Sequence, residues 1–119
     1  MASILICDDA MFMRAAIKKT VEEAGHLVVA EAGTGVECIE QYKTWKPDMI
    51  LMDITMPDMD GIEATKRIID EDPNAKIIMV SALGQMEMVV RAITAGAKDF
   101  IVKPVDNAKL TSCIKKYLQ

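Results

Sequence analysis

Met49-Ile-Leu-Met-Asp-Ile-Thr-Met-Pro-Asp-Met-Asp-Gly61 is the stretch that decides the fold. Four apolar residues, Met49 to Met52, follow Pro47 and run into Asp53, and Pro57 and Gly61 punctuate the exit. A short apolar run between breakers reads as a strand buried on both faces, as in a parallel sheet. The methionines at 49, 52, 56 and 59 also fit helical spacing. Pro57 would fall inside that helix, however, and the apolar run is too short for one, so the reading is strand then loop. An aspartate at the end of such a strand emerges at the carboxyl edge of the sheet, where open α/β folds keep their sites.

The whole chain agrees with that start. Its 119 residues suffice for one domain with a single core, residues 1–119 being read as that domain with no output domain attached. Aromatics are scarce and the ten methionines numerous, so the core should be aliphatic with adaptable methionine filler. A net charge of −4 argues against nucleic acid or an anionic membrane as partner, since both want clustered Lys and Arg. Cys7, Cys38 and Cys113 are odd in number and scattered, and read as reduced structural thiols. No segment approaches the ~20 apolar residues of a membrane span, and no basic region precedes the first apolar run as in a secretory signal. A cytoplasmic monomer is expected.

Outward from the central strand, short apolar runs alternate with stretches whose apolar residues recur at helical spacing. Strands are expected at 3–7, 27–30, 49–52, 76–81 and 100–102. The helices between and after them fall at 10–24, 36–45, 62–71, 85–95 and 106–118. Gly25 and Gly96 stop helices, and Asp106 or Asn107 caps the last one. The inward faces should carry Met13, Ile17, Val21 and Ala24; Val36, Ile39 and Tyr42 or Lys43; Ile62, Thr65, Ile68 and Ile69; Val89 and Ile93; and Leu110, Ile114 and Leu118. Alternating strands and helices with short connections predict an α/β fold, a five-stranded parallel sheet flanked by five helices. Right-handed crossovers place helices on both faces.

In a parallel sheet the strand ends share one rim, and here they are Asp8 and Asp9, Glu31, Asp53, Ser81 and Lys103. If the first and third strands are neighbours, Asp8, Asp9 and Asp53 converge. Two carboxylates ~4 Å apart repel by roughly 4 kcal/mol at an effective dielectric near 20, so such a cluster takes protons or a cation. Hard oxygen ligands with open positions suit Mg²⁺ shared with a substrate phosphate. A carboxylate can act as nucleophile on phosphorus. Phosphoryl transfer then needs positioning and charge neutralisation, which the Lys103 ammonium and Ser81 hydroxyl could supply. The sole histidine, His26, falls far from this rim. Taken singly, each piece has a plainer role. Asp8-Asp9 could cap the next helix, Asp53, Asp58 and Asp60 could be turn carboxylates, Ser81 a strand-end hydroxyl, and Lys103 a surface lysine. Their joint placement at four strand ends is the signal.

At this point the chain resembles the receiver domain of two-component response regulators along essentially its whole length. The resemblance rests on Asp8-Asp9, on Asp53 followed by Pro57 and Gly61, on Ser81-Ala82, and on Gly96-Ala97-x-x-Phe100-Ile-Val-Lys103-Pro104. Asp-Asp-Ala-x-Phe-Met-Arg and Met-Asp-Ile-Thr-Met-Pro are most similar to the stand-alone chemotaxis members. The resemblance implies a flavodoxin-like strand order of 2-1-3-4-5. It implies that Asp53 accepts a phosphoryl group from a histidine kinase. Mg²⁺ would be held directly by Asp9, Asp53 and the Thr55 main-chain carbonyl, and by Asp8 through water. Ser81 and Lys103 would hold the phosphate. Ser81 and Phe100 would then move inward and remodel the face of the fourth helix, fifth strand and fifth helix, where the flagellar motor switch protein is the expected target and a phosphatase a further partner. Met86, Met88 and Phe100 are candidates for apolar contacts there. A cis Lys103–Pro104 bond is also implied. Phe100 stands where some members have tyrosine, so no phenolic hydroxyl takes part in the switch.

Other functions have sequence signatures to meet. An Mg²⁺-dependent aspartyl phosphatase typically carries a second acid two residues after its nucleophile, where this chain has Thr55. A flavodoxin-type cofactor binder needs a small or glycine-rich phosphate loop after the first strand, and Asp8-Asp9-Ala10-Met11-Phe12 would repel a phosphate. Among receivers, a phosphorelay intermediate and a domain from a longer regulator remain alternatives to motor binding.

Overall fold

The computed structural model describes residues 1–118. Its elements run β1 (Ser3–Cys7), α1 (Met11–Glu23), β2 (Leu27–Ala32), α2 (Gly35–Trp45), β3 (Met49–Met52), α3 (Gly61–Glu71), β4 (Ile77–Ser81), α4 (Met86–Ala95), β5 (Asp99–Val102) and α5 (Asn107–Tyr117). The strands pair in parallel in the order β2-β1-β3-β4-β5, as the resemblance implied. Element bounds differ from the sequence reading by a residue or two, the usual fraying of helix and strand ends.

Helices on both faces explain why the central strands are unbroken apolar runs, with every residue of β3 and β4 buried. Alternation still sorts the side chains. Leu5, Cys7, Ile50, Met52, Ile77 and Met79 face α2, α3 and α4, where Cys38, Ile62, Ala64, Ile68 and Ala92 close the layer. Ile4, Ile6, Met49, Leu51, Ile78 and Val80 face α1 and α5, meeting Ile17, Val21, Leu110, Cys113 and Ile114. The three cysteines are free and buried. Among the described residues, no helix is long and apolar enough to cross a membrane.

Two inward assignments are corrected. Val36 is 43 % exposed, and Cys38 is the fully buried apolar side chain of α2. The start of α2 lies so close to the loop after β3 that a Cβ on Gly35 would stand 2.3 Å from the Met59 carbonyl oxygen. That contact sets the helix rotation and turns Val36 out. Likewise Ile93 is 45 % exposed while Ala92 is fully buried. The end of α4 presses on α3, where a Cβ on Gly96 would lie 2.7 Å from Ile69 Cγ1, so the small residue faces in. Gly96 itself has φ +119°, the left-handed cap that ends α4.

The loop aspartates do more than turn the chain. Asp60 caps α3, accepting the Glu63 N–H at 2.8 Å. Asp106 caps α5, accepting the N–H groups of Ala108 and Lys109 at 2.9 and 3.1 Å. Asp58, exposed in the β3–α3 loop, sits at φ +67°. By contrast the N-cap residue of α1, Ala10, has no side-chain cap to offer, and of the acidic pair only Asp8 touches the helix entry, at the Ala10 N–H.

Candidate functional site

The strand ladders carry the acidic and basic residues to the carboxyl rim one bond past each strand. The Asp8 N–H donates to Ala32 O at 2.9 Å, Asp53 N–H to Cys7 O at 2.8 Å, and Lys103 N–H to Ser81 O at 2.9 Å. Strands β1 and β3 are direct neighbours, which brings the first acidic pair beside Asp53. Asp8, Asp9 and Asp53 each offer an oxygen within 4.8 Å of the others. Lys103 comes from two strands away, ~10 Å, a span its four-carbon stem helps to bridge. Its Nζ stands 2.6 Å from Asp8 Oδ2 and 3.2 Å from Asp53 Oδ2.

The pocket has a dry floor and a wet lip. Asp8 and Asp53 are buried, while Asp9 is exposed. Each buried carboxylate is held at both oxygens. Asp8 Oδ1 accepts the Ala10 N–H at 2.9 Å, and Asp53 Oδ1 accepts the Ile54 N–H at 2.7 Å. Lys103 takes the remaining oxygen of each. Burial raises the Asp53 carboxyl above its ordinary value, with the Asp8 charge adding to the rise and Lys103 opposing it. Burial alone would lower the Lys103 ammonium, but its hydrogen bonds to and the charges of Asp8 and Asp53 hold it above its ordinary value. The cluster is therefore short of positive charge even with the lysine in place.

That donor set fits a small hard cation. Mg²⁺ prefers oxygen ligands at 2.0–2.1 Å in an octahedron, so its ligand oxygens lie about 3 Å apart on an edge and about 4 Å across. Three carboxylates already within 4.8 Å need little rearrangement to reach that spacing. Among the described residues, no cysteine or histidine belongs to this cluster, so nothing in it favours a softer metal.

The other rim residues divide. Ser81 is buried, and its Oγ accepts the Leu83 N–H at 3.1 Å, which leaves the hydroxyl hydrogen to donate elsewhere. Thr55 is exposed in the loop two residues after Asp53. Glu31 stays out of the carboxylate group, paired with Arg14 at 3.0 Å. Phe100 and Met88 are half-buried against the α2–α4 core layer, whereas Met86 is 75 % exposed. The Lys103–Pro104 peptide is cis, as the resemblance implied. Arg14, to which the sequence assigned no role, has its Nη1 2.6 Å from the Asp8 carbonyl oxygen. Its place in the quoted Asp-Asp-Ala-x-Phe-Met-Arg run was the available signal.

The response regulator receiver domain profile matches residues 4–115. The chemotaxis protein CheY of Thermotoga maritima is 53 % identical over 113 residues, covering 95 % of this chain and 94 % of that protein. The chemotaxis protein CheY of Listeria monocytogenes is 52 % identical over 116 residues, 98 % of each chain. Among solved structures, the CheX–CheY–BeF3–Mg²⁺ complex from Borrelia burgdorferi includes a chain 36 % identical, with a TM-score of 0.94 over 98 % of this chain and 89 % of that one.

Proposed function

Because the chain belongs to the response regulator receiver domain family, we propose that it is a single-domain phosphorylation switch of the chemotaxis type, with Asp53 as phosphoacceptor. One observation above all supports this. Carboxylates from β1 and β3 share a rim with an ammonium from β5 that touches both buried members.

Asp8, Asp9, Asp53 and the Thr55 main-chain carbonyl would hold Mg²⁺, which when bound supplies positive charge to the phosphoryl oxygens. The chain's own groups do the rest. An Asp53 carboxylate oxygen forms the new bond to phosphorus as the bond to the kinase histidine breaks. Lys103 turns from the carboxylates to a phosphoryl oxygen, and the Ser81 hydroxyl donates to another. Drawing Ser81 inward shifts the β4–α4 loop through its Leu83 bond and opens room for Phe100 to follow. New contacts to the phosphate bias a two-state face in this way.

The face formed by α4, β5 and α5 has the apolar surface such a switch would offer a target. Met86, Val90, Ile93 and Val102 are exposed on it. The flagellar motor switch protein is the proposed target, and the Borrelia complex favours a CheX-type partner as well. The protein would turn over nothing but its own phosphoryl group, in the cytoplasm. Incubation with acetyl phosphate and Mg²⁺ should label the native chain and not Asp53→Asn. Labelling that survives in Asp53→Asn, or that proceeds in excess EDTA, refutes the assignment.

A further inference from the structure

Arg14 sits in the first turn of α1 and is largely buried, its side chain 17 % exposed. Its guanidinium spans the rim. Nη1 donates to the Asp8 carbonyl oxygen at 2.6 Å, and Nε to Glu31 Oε1 at 3.0 Å. The chain after β2 seats against the same group, since a Cβ on Gly33 would lie 3.5 Å from Arg14 Nη1. Asp8 is already held at its N–H by Ala32 and at its carboxylate by Ala10 and Lys103. The guanidinium anchors its carbonyl, which the other contacts leave free. Because a peptide is planar, holding that carbonyl fixes the direction in which Asp9 leaves. A planar fork holds two acceptors at a set angle, which a lysine cannot do.

We propose that Arg14, braced by Glu31, is a positioning residue for divalent-cation binding, fixing the Asp8–Asp9 peptide so that both carboxylates meet Asp53. This rests on the reading of that cluster as an Mg²⁺ site. Groups that orient ligands from behind are worth roughly 10- to 100-fold in metal affinity.

Charge and geometry predict opposite outcomes here. Removing a guanidinium near the site leaves it more negative, so electrostatics alone would tighten Mg²⁺ binding in Arg14→Gln. Positioning requires weaker binding. The double variant R14Q/E31Q removes one charge of each sign and leaves the net charge unaltered, so it reads geometry alone. Mg²⁺ binding to the full chain is measured by titration calorimetry at neutral pH, with melting temperatures taken in EDTA. Binding should fall about tenfold in Arg14→Gln and in R14Q/E31Q, with partial recovery in Arg14→Lys. A core variant remote from the rim, Ile114→Val, should bind Mg²⁺ as the native chain does.

Native or tighter binding in R14Q/E31Q overturns the proposal while sparing the Mg²⁺ site. An affinity loss in Ile114→Val equal to that in the double variant also overturns it, by reducing the effect to general destabilisation. No binding by the native chain overturns the site and the positioning role together.

Discussion

A Cβ built on Gly61 would stand 1.9 Å from the Asp53 carbonyl oxygen and 2.8 Å from its carbonyl carbon. The start of α3 is thus folded directly onto the backbone of the proposed phosphoacceptor, and the Gly61 N–H donates to Ile54 O at 2.7 Å. The glycine is needed for close approach, since its φ is not in the left-handed region. Gly61→Ala must push α3 from the end of β3. We expect a loss of about 2–3 kcal/mol in urea unfolding, the scale of overpacking a core, and slower labelling by acetyl phosphate. Gly25→Ala is the contrast. Its site is open space at φ +90°, so only backbone strain applies, about 1 kcal/mol. Equal costs at the two glycines would contradict the steric account.

Lys103→Met should make the fold depend on divalent cation. The side chain is 15 % exposed and neutralises two buried carboxylates. Its removal strands both, and breaking such a buried pair costs about 3–5 kcal/mol. A bound cation restores part of the charge and stabilises the native state by mass action. The difference in melting temperature between Mg²⁺ and EDTA should therefore be larger in Lys103→Met than in the native chain. An unchanged difference would mean the lysine contributes little to holding the acids together.

The pH dependence follows from the raised Asp53. A native carboxyl that holds its proton more tightly than the unfolded chain adds stability that is fully present below the ordinary value of 3.8. That contribution is lost as pH rises through the raised native value. At neutral pH the ionised, buried Asp53 is therefore a cost. In EDTA, Asp53→Asn should raise the urea midpoint at pH 7.5, and the advantage should shrink as pH falls toward 4. Lys103, also raised, behaves as a base. Its contribution persists through neutrality and is lost only above its ordinary value of 10.5. An Asp53→Asn midpoint below that of the native chain at pH 7.5 would contradict the assigned direction.

Far from the rim, Tyr42 donates its hydroxyl to Asp72 Oδ2 at the end of α3. Burial, then that hydrogen bond and the Asp72 charge, hold the phenol well above its usual value. Tyr42→Phe should cost about 1 kcal/mol, the net worth of one such bond, and leave acetyl phosphate labelling unaltered. Spectrophotometric titration of the native protein should show a phenol ionising well above the usual range, and Tyr42→Phe should remove that component. Loss in Tyr42→Phe of a component within the usual tyrosine range would rule out the buried bond.

Read alone, the sequence determined the alternation of ten elements, because each switch of hydrophobic period is local. Short apolar runs such as Met49–Met52 and the capping aspartate of α5 announce themselves within a few residues. It also determined which strand ends bear acids and a lysine. The rotation of helices about their axes was not legible. Val36 and Ile93 sit on arcs that helical spacing allows to face either way, and the choice fell to close contacts at Gly35 and Gly96 with residues distant along the chain. Nor was the work of Arg14 and Glu31 visible, since Glu31 stood at the rim without a partner and Arg14 had no assigned role until β1, β2 and α1 were brought together. Period and punctuation are properties of neighbours in the chain. Contact between strand ends, and the charge balance it creates, exists only once the sheet has formed.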